Sequence, residues 1–292
     1  MIIFLTRPGN QFPIEYYLKS KKSDGVREFI KVFHYGEIHK INNLPVSRMI
    51  FTDFEMMDRE ELDLVSKMYN HFKIKFNFHL DNDPKKIIYR YDLLKILFQK
   101  GINQFDVHKL DSDFSKIRFP VFIRDSSNHL GSASRLIKNQ KELKTSLFHN
   151  IYPRGPILEN KAIIIEYINT RNNKGYYNSY SSTKYAGVIY PRYFKYAKKW
   201  VVKSRKLIMN PSTIKEGDEY IKGHPHKEWL KKCFEIANID YGRIDYGKSN
   251  DGHLNVWEIN TNPLIGPLKR EFNKDIKKEW RILTKSKEIF FY

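Results

Sequence analysis

The stretch Ile239–Pro263, IDYGRIDYGKSNDGHLNVWEINTNP, has two strand-like arms around a polar centre. The centre holds Asp251 and Gly252, a pair that favours a hairpin turn because both residues tolerate the positive φ that tight turns require. With these two residues at the centre of the turn, Asn250 faces His253 and the arms pair as antiparallel strands. The stretch therefore predicts a β-hairpin, and its register assigns a partner to each residue of both arms.

Four polar side chains fall on one face of this predicted hairpin. The register sets Asp245 opposite Glu258 and Arg243 opposite Asn260, and side-chain alternation along a strand places all four on the same side. Carboxylates directly opposite each other lie about 5 Å apart and repel unless a positive group lies between them. Mg²⁺ suits such a pair, because it takes oxygen ligands from one or two carboxylates and completes its shell with water and phosphate. Asn260 adds an amide oxygen, and Arg243 is a fixed cation for a phosphate or a developing oxyanion.

An exposed hairpin face with an ordinary salt bridge is the alternative interpretation. The second arm argues against it, because strict alternation puts Leu254 and Val256 on the face of Glu258 and puts Trp257 and Ile259 on the other face. The strand would then be apolar on both sides, where an unpaired charge is costly. We therefore favour a metal site over a solvated surface.

These residues also resemble a known family. The pattern Arg243-x-Asp245, an Asp-Gly turn and then Glu258-x-Asn260-x-x-Pro263 is similar to the C-terminal motif of the ATP-grasp enzymes. The resemblance implies an α/β (α+β) chain, with two lobes that clasp ATP and a small N-terminal α/β domain before them. It also implies that the Asp, Glu and Asn side chains hold Mg²⁺, in two ions that bridge the ATP phosphates, with Mn²⁺ as a possible substitute. Arg243 would contact the reacting acyl phosphate, and Arg243 and Arg124 would stabilise the charge of the transferring group.

The resemblance implies further nucleotide contacts along the chain. In chain order they are Arg90, Arg124, Ser132, Glu166, Tyr167, Ile168, Arg192 and Lys203. Arg124 stands where the family usually has lysine, and an arginine there keeps the charge and gains a bidentate fork. Several of these residues have a simpler interpretation, as a solvated helix arginine, an inter-lobe strand or a solvated charge run. His129, in the loop after Arg124, is equally well a surface residue or a contact to phosphate or acceptor.

Three ranges follow from the same reasoning, namely residues 1–85 as the N-terminal domain, 86–168 as the small lobe with the phosphate loop, and 169–292 as the large lobe with the hairpin. Within them we expect a helix from Asn82 to Gly101, a strand at Ile74–Leu80, an exposed connection at Thr170–Lys184 and a loop at Asn210–Gly223. We also expect Lys269–Tyr292 to form a closing helix.

The composition limits the class of protein. The chain has 292 residues, a formal net charge of +19 and one cysteine, and 41% of its residues are hydrophobic. The length and the apolar content are those of a globular chain with a full core. The lone cysteine excludes an internal disulfide, and no stretch is long and apolar enough to cross a bilayer, so we expect a cytoplasmic protein. The positive charge is spread along the chain and predicts a weak attraction to polyanions without a dedicated nucleic-acid motif.

Three functions remain open at this point. The first is an ATP- and Mg²⁺-dependent ligase that joins a carboxylate to an amine through an acyl phosphate and releases ADP and phosphate. The second is a kinase of the same fold that phosphorylates its acceptor. The third is a non-catalytic protein that binds polyanions. The acceptor would be a small molecule, a glycan or a peptide.

Overall fold

The computed structural model describes residues 1–41, 44–150, 152, 155–202 and 207–264. The predicted closing helix at Lys269–Tyr292 and the candidate Lys203 lie outside these residues.

The first sheet is parallel and lies within residues 1–85. Its four strands, in the spatial order β2-β1-β3-β4, and its two helices are β1 Ile2–Thr6, α1 Phe12–Leu18, β2 Ile30–His34, β3 Arg48–Phe51, α2 Arg59–Lys75 and β4 His79–Asp81. Its central strand β1 is a run of buried residues, as expected for a parallel strand with cover on both faces. Helix α2 begins with a capping box between Asp58 and Glu61 and continues to Lys75. It therefore includes the start of the strand that we predicted from Ile74, and that strand begins only at His79.

The second sheet is antiparallel, in the spatial order β5-β7-β6. Its elements are α3 Arg90–Gln99, β5 Val107–His108, β6 Val121–Asp125, α4 Gln140–His149 and β7 Ala162–Glu166. The prediction that α3 begins near Asn82 is wrong. Asn82 has a left-handed backbone, with φ of 63°, and its side-chain amide donates to the carbonyls of Phe51 and Tyr241. Asn82 therefore links the end of β3 to Tyr241, and α3 begins eight residues later, at Arg90.

The third sheet is antiparallel, in the spatial order β11-β10-β8-β9. Its elements are β8 Tyr177–Tyr185, β9 Val188–Ala197, α5 Pro211–Gly223, α6 Lys227–Ala237, β10 Gly242–Lys248 and β11 Leu254–Asn260. Two predictions are corrected here. Residues 177–184, predicted as exposed connection, belong to the interior strand β8. Residues 211–223, predicted as a loop, form α5, which begins with a capping box at Asn210 and a proline in its first turn.

The first and third sheets share one apolar core, which includes Phe51 and Phe54 on one side and Tyr246 and Val256 on the other. The second sheet packs around two separate hydrophobic clusters. One of them contacts Trp200, which follows β9, and Trp257 of β11. The only cysteine, Cys233, is buried in the shared core. Within the described residues, no helix is both long and apolar enough to cross a membrane.

Candidate functional site

The β10–β11 hairpin has the predicted pairing at its functional end. Asp245 lies opposite Glu258 and Arg243 lies opposite Asn260, so the predicted register is confirmed there. The prediction of a two-residue turn is wrong, because Lys248 already pairs with the first residue of β11 and five residues form the loop. A β-bulge between the loop and the carboxylates, with one extra residue in β11, restores the register that a two-residue turn would have produced.

The bulge changes which residues share a face. Leu254 and Val256 pack in the core with Ile259, and Trp257 lies beside Glu258 on the opposite side, where both line a cavity. The predicted arrangement, with Leu254 and Val256 on the face of Glu258, is therefore wrong. Two consecutive residues can face the same side at a bulge because the extra residue interrupts the alternation.

The cavity measures about 620 Å³ and lies between the second and third sheets. One end is aromatic. The Phe105 and Trp257 rings stack with centroids 5.2 Å apart, and the Phe122 and Trp200 rings lie 5.0 Å apart. Ile168 also lines this end. The result is an aromatic slot at one end of a cavity that also has charged residues in its wall.

The other part of the cavity is built around Glu258. Arg90, the first residue of α3, donates to Glu258 Oε2 at 2.7 Å, and Arg124 of β6 donates to the same oxygen. His129 Nδ1 lies 3.4 Å from that oxygen. The side chains of Arg90, Arg124 and Glu258 are 2%, 7% and 9% exposed, so two guanidinium groups share one carboxylate away from bulk water.

Burial and ion pairing act in opposite directions on these groups. Burial alone would raise the pKa of Glu258, but Arg124 and Arg90 outweigh it and hold the pKa of that carboxyl well below its usual range. Burial and the neighbouring Arg124 lower the pKa of Arg90 to about 10. Two guanidinium groups and one carboxylate together carry a formal net charge of +1.

The second carboxylate has a different partner. Asp245 Oδ2 accepts a hydrogen bond from Arg243 at 2.9 Å, and Asp245 Oδ1 accepts one from the Tyr193 hydroxyl at 3.1 Å. Burial would lower the pKa of Arg243, but the Asp245 carboxylate outweighs burial and raises it. Each of the two facing carboxylates is therefore paired with arginine. These ion pairs offset the mutual repulsion of the carboxylates that served as the argument for a metal.

The oxygens still suit a hard cation. All the described partners of Glu258 contact Oε2, so Oε1 faces none of them. Asn260 Oδ1 accepts one hydrogen bond, from the backbone N–H of Asn262 at 2.8 Å, and an amide oxygen has a second lone pair. No cluster of three or more His, Cys, Asp or Glu side chains occurs in the described parts of the chain. Two carboxylates and an amide, completed by water or phosphate, make an oxygen set of the kind Mg²⁺ uses.

The structure brings most of the predicted residues to this cavity. Those that line it are Arg124, Ser132, Tyr167, Ile168, Arg192, Arg243, Asp245 and Glu258. Arg90 is not a lining residue but reaches the site through Glu258. Asn260 lies at the end of β11, where the next residues contact the first sheet.

Glu166 does not line the cavity. Its carboxylate ion-pairs with Arg118 at 2.6 Å and lies 3.3 Å from His108. It also accepts the backbone N–H groups of Asp106 and Arg118. The neighbours Tyr167 and Ile168 line the cavity, so the segment reaches the site although this side chain does not.

Sequence reasoning missed the aromatic slot and Tyr193. Phe105, Phe122 and Trp200 are separated by long stretches of chain, and no local pattern relates them. Trp257 was assigned to the wrong face because the bulge is invisible in an alternating pattern.

Three solved structures share this fold. One is N5-carboxyaminoimidazole ribonucleotide synthetase from Thermotoga maritima, with a TM-score of 0.51 and 16% identity over 89% of this chain and 68% of that chain. A second is N5-carboxyaminoimidazole synthase from Aspergillus clavatus in complex with ADP and 5-aminoimidazole ribonucleotide, with a TM-score of 0.51 and 9% identity over 89% and 69%. The third is VanG D-Ala:D-Ser ligase from Enterococcus faecalis, with a TM-score of 0.51 and 12% identity over 90% of both chains. No protein-family model and no curated protein matches the sequence.

These structures are ATP-grasp carboxylate–amine ligases, and the chain has the ATP-grasp fold. The fold predicted from the hairpin motif is confirmed. At these identities the likeness concerns the fold, and the chemistry has to be argued from the cavity.

Proposed function

We propose that the chain is an ATP-dependent ligase that activates a carboxylate as an acyl phosphate and joins it to an amine. The observation that carries this proposal is the polarity of the cavity. It has an aromatic slot at one end and, further along, Arg124 beside the two facing carboxylates. A nucleoside triphosphate has matching parts in the same order. Its flat base suits the aromatic slot, its phosphates suit the arginine, and the metal ion bound to the phosphates suits the carboxylates.

The base would bind in the aromatic slot. Flat rings there offer stacking surface, and aromatic contacts of this kind contribute about 0.5–1.5 kcal/mol beyond burial. Tyr167 and Ile168 follow directly after β7 and line the cavity; the Tyr167 N–H already donates to the carbonyl of Pro120 at 2.9 Å, so the backbone of Ile168 would serve the edge of a base. An apolar pocket with a few polar groups at its rim is the usual form of a cofactor site.

The phosphates would bind to Arg124, which lines the cavity with the loop residues Gly131 and Ser132. Arg90, whose Nη1 donates to the carbonyls of Asp125, Ser126 and Asn128, would instead position Glu258 from behind. The Nε atoms of both arginines are buried without a hydrogen-bond partner among the described residues. Guanidinium groups bind phosphate through two parallel hydrogen bonds, and this is stronger than a neutral contact. Glu258 holds Arg124 beside the phosphate position before a nucleotide arrives.

Asp245 and Glu258, with Asn260 beside them, would hold Mg²⁺. When bound, this ion neutralises phosphate charge and stabilises the transferring group. The chain's own contribution is to position and to stabilise charge. Arg243, fixed by Asp245, supplies a cation where the acyl phosphate forms, and a loose phosphoryl-transfer transition state needs little from the protein beyond this. No protein nucleophile is required.

Thermal melting tests the proposal, with three proteins compared with and without ATP and Mg²⁺. They are the natural chain, Asp245→Asn and the control Asp63→Asn, which changes an exposed carboxylate of α2. A ligand at 100 times its dissociation constant stabilises the folded state by about 2.7 kcal/mol. We expect a Mg²⁺-dependent rise in melting temperature for the natural chain and the control, and its loss in Asp245→Asn. No rise in the natural chain at millimolar ATP and Mg²⁺ would favour a polyanion-binding protein instead.

Product analysis then separates ligase from kinase. A ligase releases free phosphate with the ADP, whereas a kinase leaves the phosphate on its acceptor. Hydroxylamine added to the reaction traps an acyl phosphate as a hydroxamate. Formation of hydroxamate together with ADP supports the ligase, and a stable phosphorylated acceptor without hydroxamate identifies the kinase.

A further inference from the structure

Arg192 is a charged residue of the cavity that the proposed reaction leaves without a role, as it does Lys195 three positions later. It lies in β9, where the register shifts so that Pro191 and Tyr193 face consecutive residues of β8 and Arg192 is the extra residue. This second β-bulge has the same effect as the one beside Glu258. Consecutive residues, here Arg192 and Tyr193, both line the cavity. Bulges often occur beside functional sites, where they redirect a side chain.

The position of Arg192 is far from the aromatic slot. Gly247 of β10 marks the slot end, because a side-chain carbon there would lie 3.0 Å from Trp257. Arg243, four residues earlier in the same strand, is about 13 Å away at the rise of a β-strand. Arg192 of β9 and Arg243 of β10 lie on the two strands that flank β8, both line the cavity, and Arg192 Nη2 donates to the carbonyl of Leu264 at 3.2 Å. The order along the hairpin is therefore aromatic slot, carboxylates, then paired arginines.

The charges at this end are unbalanced. Asp245 is engaged with Arg243, and no carboxylate of the described ranges lies within ion-pair distance of Arg192. Burial, reinforced by the neighbouring Arg243, lowers the pKa of Arg192 to about 10, so it is still a cation at neutral pH. The Nε atoms of Arg192 and Arg243 and the hydroxyl of Tyr241 are all buried without a hydrogen-bond partner in the described structure. Buried donors without partners indicate a position that a ligand or water fills.

We propose that Arg192, with Arg243 beside it, binds an anionic group of the acceptor, so that the acceptor carries a second oxyanion in addition to the carboxylate that reacts. This inference rests on the proposed function, because it takes the nucleotide to occupy the slot and the Arg124 side. Two guanidinium groups that line one cavity, of which Arg243 is paired with Asp245, match a carboxylate or a phosphate monoester. Burial raises the pKa of Tyr17 in α1, and the charge of Arg192 opposes this rise. Helix α1, which belongs to the first sheet's unit, therefore adjoins this subsite.

The test titrates three probes into protein saturated with Mg²⁺ and a non-hydrolysable ATP analogue. The probes are succinate with two carboxylates, 2-phosphoglycolate with one carboxylate and one phosphate, and acetate with one carboxylate only. Calorimetry measures binding to the natural chain, to Arg192→Gln and to the control Arg171→Gln, which changes an exposed arginine outside the cavity. We expect at least one of the two dianions to bind the natural chain and the control, to bind at least tenfold more weakly to Arg192→Gln, and acetate to bind weakly to all three proteins. The better of succinate and 2-phosphoglycolate identifies the second anionic group.

The outcomes separate this inference from the proposed function. If Arg192→Gln binds the dianions as well as the natural chain does, the inference is wrong. If Arg192→Gln loses binding of the ATP analogue instead, Arg192 serves the triphosphate, and the inference is again wrong. If the natural chain binds no ATP analogue, the same titration is run without it. Dianion binding that still depends on Arg192 then supports the anion subsite while the ligase proposal fails. Should Arg192→Gln not fold, Arg192→Lys replaces it, and binding intermediate between the natural chain and none is expected because the charge remains and the fork is lost.

Discussion

Glu166 and Glu258 are two buried glutamates, each with arginine and histidine partners, and they differ in how those partners are satisfied. Glu166 uses both of its oxygens, which accept from two backbone N–H groups and from the side chain of Arg118, with His108 at 3.3 Å. Burial would raise the pKa of Glu166, but His108 and Arg118 outweigh it and lower the pKa to about 2. This network is complete, and it joins β7 to β5 and to Arg118, which precedes β6, without reaching the cavity.

Glu258 has the opposite arrangement. Its three described partners share one oxygen, and the two arginines among them have buried Nε atoms without acceptors. The arginine of Glu166 has a side chain that is 61% exposed, whereas Arg90 and Arg124 are 2% and 7% exposed. A complete network stabilises the fold. A network with unused buried donors at the wall of a cavity is prepared for a ligand.

The largest expected effect comes from Glu258→Gln without nucleotide. The change leaves two adjacent buried guanidinium groups without a counter-ion, and breaking such a pairing costs about 3–5 kcal/mol. Added inorganic phosphate should restore part of this stability, because the freed arginines bind it. Denaturant unfolding with and without phosphate measures both effects, and an unchanged free energy of unfolding would contradict our account of this group.

A smaller loss, about 3 kcal/mol, is expected for Glu166→Gln. The amide replaces an acceptor by a donor and leaves a backbone N–H of Asp106 or Arg118 unsatisfied. The same unfolding experiment applies, with Glu159→Gln as the control in an exposed carboxylate. Phosphate should restore nothing here, since the Arg118 side chain can return to solvent. Recovery with phosphate equal to that of Glu258→Gln would remove the distinction between the two networks.

Acid should reduce the difference between the natural chain and Glu166→Gln. The pKa of Glu166 is lowered to about 2 in the folded protein from an ordinary value of 4.5. A lowered acid pKa stabilises the fold above the unfolded value and loses that contribution as pH falls toward the folded value. Between pH 5 and pH 3 the difference in unfolding free energy should shrink by about 2 kcal/mol. Unfolding curves at both pH values measure it, and a constant difference would show that Glu166 does not titrate in this range.

The smallest effect concerns the aromatic slot. Trp200→Leu removes a ring that lies 5.0 Å from Phe122, and it should weaken nucleotide binding by about 1 kcal/mol, roughly fivefold. Trp229→Leu is the matched control, because that ring packs on Tyr246 in the core on the other side of the hairpin. Calorimetric titration with ATP compares the two. Equal weakening in both variants would mean that the slot does not bind the base.

Local patterns were sufficient where they act over a few residues. The pairing of Asp245 with Glu258 followed from alternation around an Asp-Gly turn, although the turn length was wrong and a bulge compensated for it. Helix α5 was missed because the polar stretch Asn210–Gly223 resembles a loop, while the buried Tyr220 that anchors it contacts residues more than 25 positions away. Glu166 was assigned to the nucleotide because its position in the chain fits, and its partners come from two other strands.

The sequence by itself determined the hairpin and its facing carboxylates, because spacing and turn chemistry are encoded within some 25 residues, and the resemblance of this motif to a known family implied the ATP-grasp fold. The tertiary structure alone decided which arginines share Glu258, which aromatic rings form the slot and which glutamate faces the cavity. Arg90 and Glu258 are 168 residues apart, and a contact of that separation leaves no local pattern. The two bulges have the same origin, since a one-residue shift in register is chosen by packing against neighbouring strands and reverses the face of each residue beyond it.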